Sequence, residues 1–356
     1  MSVSDDVGRL ASTVPEACDK IVSVSVVIPT HNGWHHLATC LSNTLTECAS
    51  LAEPFEILVV DNGSTDGTLV GLRRQEEAVN VMALEHNCGF AEACNRGVRA
   101  AKGEYCLLLN NDAWCAPGAL AELLAFARTG YSIAGPILVN PDGTFQSGPM
   151  TIDFLGDPVQ SNVLERPFFV CGAALLVNRT DFLTLGGFDD RFFAFYEEAD
   201  LQWRAHLAKC RVGCDLRATV YHIGGGTLAG ALLGYQEGAV TTTWQRLYLG
   251  RRNQLAMLLK NYSRPSLAFA LACWGLSGAI ECMGATALGH AGLWRAYAAA
   301  VGWNMRNIRA TWKRRRIVQR TRCVDDGTIR RYFGPPFTRL RTAFRLARRL
   351  PRIQVR

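Results

Sequence analysis

Four short apolar runs, each closed by polar residues, set the pattern of the first third of the chain. They lie at 22–28, 55–60, 79–84 and 105–109. Runs of this length with little polar alternation read as strands buried on both faces, as in a parallel sheet. Between the first two, Leu37, Leu41 and Leu45 recur at helical spacing. A second helix is expected after the loop at 61–67, where Asp66 is placed to cap it, and a third over 91–101. Strands alternating with helices predict an α/β fold with a mostly parallel central sheet flanked by helices.

Polar residues fall directly after each strand: His31 and Asn32, Asp61 and Ser64, Asn87 and Gly89, then Asn110, Asn111 and Asp112. In a parallel sheet these loops share the carboxyl edge, where ligands of such sheets bind. An Asx turn explains any one of them alone; four on one rim predict a binding site. The oxygen-rich group at 110–112 suits a hard divalent cation, Mg²⁺ or Mn²⁺, with few protein ligands and the rest from phosphates. Asp61 is placed to accept hydrogen bonds from the base or ribose of a nucleotide. Neither Gly-x-x-x-x-Gly-Lys-Ser/Thr nor Gly-x-Gly-x-x-Gly follows the first strand, so a metal near Asp112 would replace the usual glycine cradle for phosphates.

Residues 131–165 read as irregular, with a hairpin tip at Asn140, Pro141, Asp142 and Gly143. An apolar run at 168–177 contains Cys171, Gly172, Ala173 and Ala174, small enough for close approach of a ligand or for tight packing. Phe193, Phe195 and Tyr196 then precede Glu197, Glu198 and Asp200, at what reads as a helix start running through Leu207. The helix dipole accounts for one or two acids there. Aromatic neighbours also suit a partly desolvated general base, its pKa lifted toward neutrality. His222 is followed closely by Gly224, Gly225 and Gly226, a setting in which imidazole can ligate a metal.

These segments together resemble glycosyltransferase family 2, inverting sugar-nucleotide transferases of GT-A fold. The resemblance rests on Val26-Val-Ile-Pro-Thr-His-Asn-Gly33, Val60-Asp-Asn-Gly-Ser-Thr-Asp-Gly67, Asn87-Cys-Gly-Phe-Ala-Glu-Ala-Cys-Asn-Arg-Gly97, Leu108-Leu-Asn-Asn-Asp112, Tyr196-Glu-Glu-Ala-Asp-Leu-Gln-Trp-Arg204 and His222, in family order over about 22–230. It implies that Pro29, His31, Asp61, Asn87, Gly89, Asn95 and Asn111 bind the nucleotide sugar. It also implies that Asp112, with His222, holds the metal, and that Glu198 is the catalytic base, with Asp200, or even Glu197, as rivals. Two positions depart from the family pattern: Asn110 replaces the first acid of Asp-x-Asp, and the base is Glu where Asp is more frequent. Among members, the chain looks most like rhamnosyltransferases that use dTDP-rhamnose.

Charge divides the chain. Residues 251–356 hold 22 Lys and Arg against Glu281, Asp325 and Asp326, a net +19 where the whole chain is +7. A basic tail on an acidic body predicts an anionic partner; a membrane surface is favoured, and no nucleic acid is expected. Phe337, Leu340, Phe344 and Leu350 interleave with arginines in a basic amphipathic pattern. Residues 237–261 read as a helix. Residues 266–294 are apolar and long enough to span a bilayer, but carry Glu281 near the middle and are rich in Ala and Gly, so packed helices are expected, some against the membrane. The thirteen cysteines show no Cys-x-x-Cys and read as small buried hydrophobes of a reducing cytosol. The first twenty residues lack the apolar core of a signal peptide.

The expected layout is a catalytic domain at 20–230, a helical, membrane-associating region at 231–303 and an Arg-rich tail at 304–356. The expected activity is transfer of a sugar from a nucleotide-diphosphate donor to a hydroxyl of a saccharide or lipid-linked acceptor, in the cytoplasm at the inner face of the membrane. The rival readings are a sugar nucleotidyltransferase and a non-catalytic nucleotide-binding scaffold.

Overall fold

The computed structural model describes residues 22–75, 78–161, 166–224, 234–236, 239–287, 289, 292–341 and 353–355. The first twenty residues, Gly225, Gly226, and the tail positions Phe344 and Leu350 lie outside them.

The alternation read from the apolar runs is present: β1 (Val24–Thr30), α1 (Trp34–Ala49), β2 (Phe55–Asp61), α2 (Thr68–Arg73), β3 (Asn80–Ala83), α3 (Phe90–Ala100) and β4 (Tyr105–Leu109). These strands pair in the order β3-β2-β1-β4, all parallel. Every residue of β1 and β4 is buried because helices cover both faces. Val24, Val26 and Ile28 join one core with Leu37 and Leu41 of α1, while Val27 faces Ala93, Cys94 and Val98 of α3. The α3 contact needs Gly97, where a Cβ would stand 2.3 Å from Cγ1 of Val27.

Next come β5 (Ala113–Cys115), α4 (Ala119–Ala127), β6 (Ile133–Val139), β7 (Phe145–Ser147), β8 (Met150–Ile152), β9 (Pro158–Gln160), β10 (Ala174–Asn178), α5 (Arg179–Thr184), α6 (Glu197–Leu207) and β11 (Val212–His222). The tip between β6 and β7 is the turn expected at Asn140, whose carbonyl accepts the Gly143 N–H at 2.8 Å. Here the sheet becomes mixed. β10 runs antiparallel to both β4 and β6, so β6 and its parallel neighbour β11 point the same way as β4. His222, the last residue of β11, therefore reaches the edge that carries Asp112. Only the end of the apolar run at 168–177 is strand; Phe168 instead packs edge-on against Trp203 of α6.

β12 (Gly234–Gln236) and β13 (Ala239–Thr242) precede α7 (Trp244–Asn261), α8 (Arg264–Ala287), α9 (Gly292–Arg306), α10 (Ile308–Thr321), α11 (Asp326–Arg330) and β14 (Ile353–Val355). The helix expected from 237 starts at Trp244 because the Thr243 hydroxyl accepts the Arg246 N–H and caps it. α7 is buried nearly all round, including Arg251, Arg252 and Lys260. Leu255 and Tyr262 share one hydrophobic core with Trp203 of α6, Trp274 of α8, Tyr297 of α9 and Val318 of α10. The helices thus share a core with α6, with no separation at 230. Nor is 304–341 a loose tail. Arg315 donates to the carbonyls of Leu259 (2.7 Å) and Tyr262 (2.6 Å), and Gln319 to that of Lys260 (2.9 Å), which closes the end of α7.

Among the described residues α8 is the one helix long and apolar enough to cross a membrane. Its Glu281 turns inward and accepts the Tyr297 hydroxyl at 2.9 Å. Its inner face buries Leu267, Ala270, Trp274 and Cys282; Phe269, Leu276 and Met283 are exposed.

Candidate active site

The first two loops of the carboxyl edge are laced together. Ser64 Oγ accepts the Asn32 N–H (2.8 Å), Asn32 Oδ1 the Thr65 N–H (2.9 Å) and Asp66 Oδ2 the Gly33 N–H (2.8 Å). Asp61, fully buried at the end of β2, accepts the Ser64 N–H through Oδ2 at 3.2 Å, while its Oδ1 has no partner within the protein. A buried carboxylate oxygen left bare is costly, so Oδ1 is a standing acceptor for a ligand donor.

The other residues expected at the nucleotide build the frame around it. Asn62 holds the third loop: Nδ2 donates to Asn87 Oδ1 (3.0 Å), Oδ1 accepts the Cys88 N–H (2.9 Å), and its carbonyl meets His31 Nδ1 (3.0 Å). Asn87 Oδ1 also accepts the Gly89 N–H at 2.9 Å. Asn95 has both ends engaged by the Phe188 backbone, at 3.0 and 2.9 Å, which makes it a tie between α3 and the 187–188 turn. Asn111 Nδ2 donates to Thr30 Oγ1 (2.9 Å), joining the ends of β4 and β1, and Pro29 lies inside β1 opposite Val60.

Asp112 and His222 meet at one corner, Oδ1 to Nε2 at 3.3 Å. Gln146 orients the ring. Its Nε2 donates to Asn140 Oδ1 (2.9 Å) and the His222 carbonyl (3.1 Å), so its Oε1 faces His222 Nδ1 at 2.7 Å. That carbonyl oxygen can only accept, so Nδ1 carries the proton and Nε2 offers a lone pair, the arrangement common behind metal-ligating histidines. Asn110 Oδ1, beside them, is buried without a partner, and its Nδ2 lies 3.4 Å from His222 Nε2. Carboxylate, imidazole and one bare amide oxygen fit a Mg²⁺ or Mn²⁺ ion that takes its remaining ligands from phosphate. Among the described residues no three His, Cys, Asp or Glu are grouped so as to hold a metal ion, so the protein's share of such a site is small.

Glu198 stands on the first turn of α6, half-buried, with Oε2 unpartnered, and burial pushes its carboxyl above the usual range. It packs on Gly172, where a Cβ would touch Glu198 Cβ at 3.4 Å. The next carbonyl, of Ala173, accepts the Asn110 N–H at 2.9 Å, so one short loop lies between the acid and the Asp112–His222 corner. Glu197 is buried, lifted further by burial and by the charge of Glu198. Asp200 corrects the expectation of a rival base. It is wholly buried and accepts from Lys260 Nζ (2.9 Å), Arg204 Nε (3.1 Å) and Asn261 Nδ2 (3.1 Å), which leaves it no access to an acceptor hydroxyl.

Phe193, Phe195 and Tyr196, just before α6, hold φ of 66°, 72° and 71°. Left-handed backbone costs a non-glycine residue on the order of 1–2 kcal/mol, so other contacts must enforce it.

Residues 25–184 match the family model for glycosyl transferase family 2. The match takes in 160 of the 356 residues. The matched segment holds Asp61, Asn87, Asn110 and Asp112; Glu198 and His222 follow it. The chain is 31% identical over 126 residues to an undecaprenyl-phosphate 4-deoxy-4-formamido-L-arabinose transferase of Pectobacterium carotovorum subsp. carotovorum (strain PC1), covering 34% of this chain and 38% of that protein. It is 28% identical over 218 residues to the N-acetylglucosaminyl-diphospho-decaprenol L-rhamnosyltransferase of Mycobacterium tuberculosis (strain ATCC 25618 / H37Rv), covering 49% of this chain and 68% of that protein. It thus spans well under half the length of the first of these relatives. The crystal structure of GalNAc-T7 with UDP, GalNAc and Mn2+ superposes with a TM-score of 0.54 at 15% identity, over 69% of this chain and 49% of that one. The fold around the family 2 domain is GT-A, as the motifs implied.

Proposed function

We propose that this chain is an inverting glycosyltransferase that moves a sugar from a nucleotide-diphosphate donor to a hydroxyl of a saccharide or lipid-linked acceptor. One observation carries the reading: three bare acceptor oxygens, on Asp61, Asn110 and Glu198, stand on segments tied together at one end of the sheet. Asp61 Oδ1 receives a donor group of the base or ribose. Asp112 and His222, with Asn110 Oδ1, would hold a divalent cation. When bound, that cation neutralises charge on the departing nucleoside diphosphate. Glu198, its pKa lifted by burial, takes the proton of the acceptor hydroxyl as that oxygen attacks the anomeric carbon opposite the leaving group. Base assistance of this kind is worth ~10²–10⁴ in rate.

A lipid-linked acceptor is supported by the names of the relatives and by the exposed apolar face of α8, which lies beside exposed Arg264 and Arg330. We place the protein at the inner face of the cytoplasmic membrane, bound peripherally through α8 and the basic C-terminal residues. Rhamnose is the donor sugar we favour, on the Mycobacterium relative and the motifs.

The test is a panel of labelled UDP-, GDP- and dTDP-sugars with a polyprenyl-diphosphate-linked acceptor and Mn²⁺. Acceptor-dependent incorporation with an inverted anomeric centre is expected. Formation of a sugar nucleotide from a sugar 1-phosphate would instead make the chain a nucleotidyltransferase. No turnover alongside tight nucleotide binding would make it a scaffold.

A further inference from the structure

The geometry points to Asn253, on α7 and outside the family 2 domain, as a positioning residue for the transfer step; this rests on the reading of Glu198 as base. Asn253 is fully buried, and its Nδ2 lies 2.9, 2.8 and 2.8 Å from the carbonyl oxygens of Phe192, Ala194 and Phe195. Its Oδ1 accepts from Arg252 Nε at 2.9 Å, and Arg252 Nη2 donates to the carbonyls of Arg191 (2.9 Å) and Phe192 (2.6 Å). Two adjacent side chains of one helix thus grip four carbonyls of the segment that leads into α6.

That segment cannot hold its own shape. Phe193, Phe195 and Tyr196 hold positive φ, and of the four gripped carbonyls that of Phe192 is also met from within the turn, by the Ala194 N–H at 2.8 Å. The carbonyl of Phe193 points the other way and accepts the N–H groups of Phe90 (2.6 Å) and Ala91 (3.3 Å) at the start of α3. Gly89, on the nucleotide side, has room there only as glycine, since a Cβ would stand 2.7 Å from Phe193 Cα. The segment is therefore clasped between α7 and the loop that frames the nucleotide. Tyr196 is the last residue before α6, so its φ sets the direction in which the helix leaves and where Glu198 stands against Gly172. Without the Asn253 donors the turn relaxes toward ordinary φ and carries Glu198 with it. Donor binding, which uses Asp61 and the 110–112 corner, stays in place.

The experiment uses the full chain and the sugar nucleotide that the wild type turns over fastest, with UDP and dTDP as binding probes. Asn253→Ala should lower kcat roughly 10- to 100-fold, the scale expected for an ångström of misplacement. Donor KM and the affinity for UDP or dTDP should change by less than about twofold. Asn253→Gln, which keeps the donor amide, should recover part of kcat, and Arg252→Lys should show a smaller loss with the same split. Wild-type kcat in folded Asn253→Ala overturns the inference, as does a parallel fall in kcat and nucleotide affinity. If Asn253→Ala does not fold, the same split is read from Asn253→Gln and Arg252→Lys, and wild-type kcat in both overturns it. A wild-type protein that transfers no sugar instead overturns the reading of Glu198 on which the inference stands.

Discussion

Nζ of Lys260 lies 2.6 Å from Oδ2 of Asp189 and 2.9 Å from Oδ2 of Asp200, with all three side chains shut away from water. One ammonium from α7 is shared by two carboxylates that flank the strained approach to α6. Removing one partner of a buried ion pair typically costs about 3–5 kcal/mol, because the remaining charge has nowhere to go. Lys260→Met should destabilise the fold on that scale, read as a lower urea midpoint at unchanged slope. A shift below about 1 kcal/mol would mean that Arg204, Arg191 and Arg314 suffice without it.

The same cluster predicts acid sensitivity. Burial alone would raise the Asp189 carboxyl, yet Lys260, Arg191 and Arg314 outweigh it and hold the group well below the usual range. Its folded pKa is thus lower than the unfolded value of about 3.9. The stability it contributes is complete above that value and is lost as pH falls further. Thermal melting should therefore drop steeply below about pH 4. Asp189→Asn should be less stable at neutral pH and show a shallower acid limb; parallel curves would remove Asp189 as the cause.

For Glu198 the burden is chemical. Glu198→Gln keeps size and most hydrogen bonding but takes no proton, so kcat should fall by roughly 10²–10⁴ with nucleotide affinity nearly unchanged. Glu198→Asp should keep part of the activity. In the wild type the acid limb of kcat should lie above the ordinary glutamate value of about 4.3, since the base works deprotonated and burial raises it. Near-wild-type turnover by Glu198→Gln would assign the base elsewhere.

Gln146 tests the metal corner without any sugar transfer. It fixes the ring of His222, and loss of such an outer partner typically weakens metal binding about 10–100-fold. Mn²⁺ titration followed by electron paramagnetic resonance should show that loss in Gln146→Ala and a larger one in Asp112→Ala. Equal Mn²⁺ affinity in Asp112→Ala and wild type would remove this corner as the ion's seat.

The exposed face of α8 supplies the membrane test. Leu276→Glu and Met283→Glu place charge on that exposed face, so flotation with anionic vesicles should decline while transfer to a soluble acceptor persists. Unchanged flotation would shift the contact to the basic residues. Deleting 304–356 is a poor probe of this, because Arg315 and Gln319 close the end of α7; that truncation should yield unfolded protein.

Much of the α/β half was legible because its information is local. Each of β1, β2, β3 and β4 is an apolar run, and each delivers its polar residues to the rim by strand direction alone. The placing of Asp61 and Asp112 at that rim needed nothing more. Asn62 and Gln146 were missed because their partners, the 87–89 loop and His222, lie far along the chain. Asp200 was misjudged for the same reason. In sequence it is an acid beside two acids, and only the fold brings it Lys260 and Asn261. The basic character of 313–322 suggested a free tail, whereas Arg314, Arg315 and Arg322 end on carboxylates and carbonyls inside the protein.

The late position of Lys260 and Arg315 has a consequence for how the molecule is made. During synthesis α6, with its own Arg204 beside Asp200, leaves the ribosome well before Lys260, and α7 well before the guanidinium that closes its end. The strands of the α/β half have their partners early and can condense first. The turn carrying Phe193, Phe195 and Tyr196 must wait for Asn253, and α7 in turn for α10. Glu198, the proposed base, is therefore among the last parts of the protein to find its place, and a chain cut short between it and Arg315 would leave it unplaced.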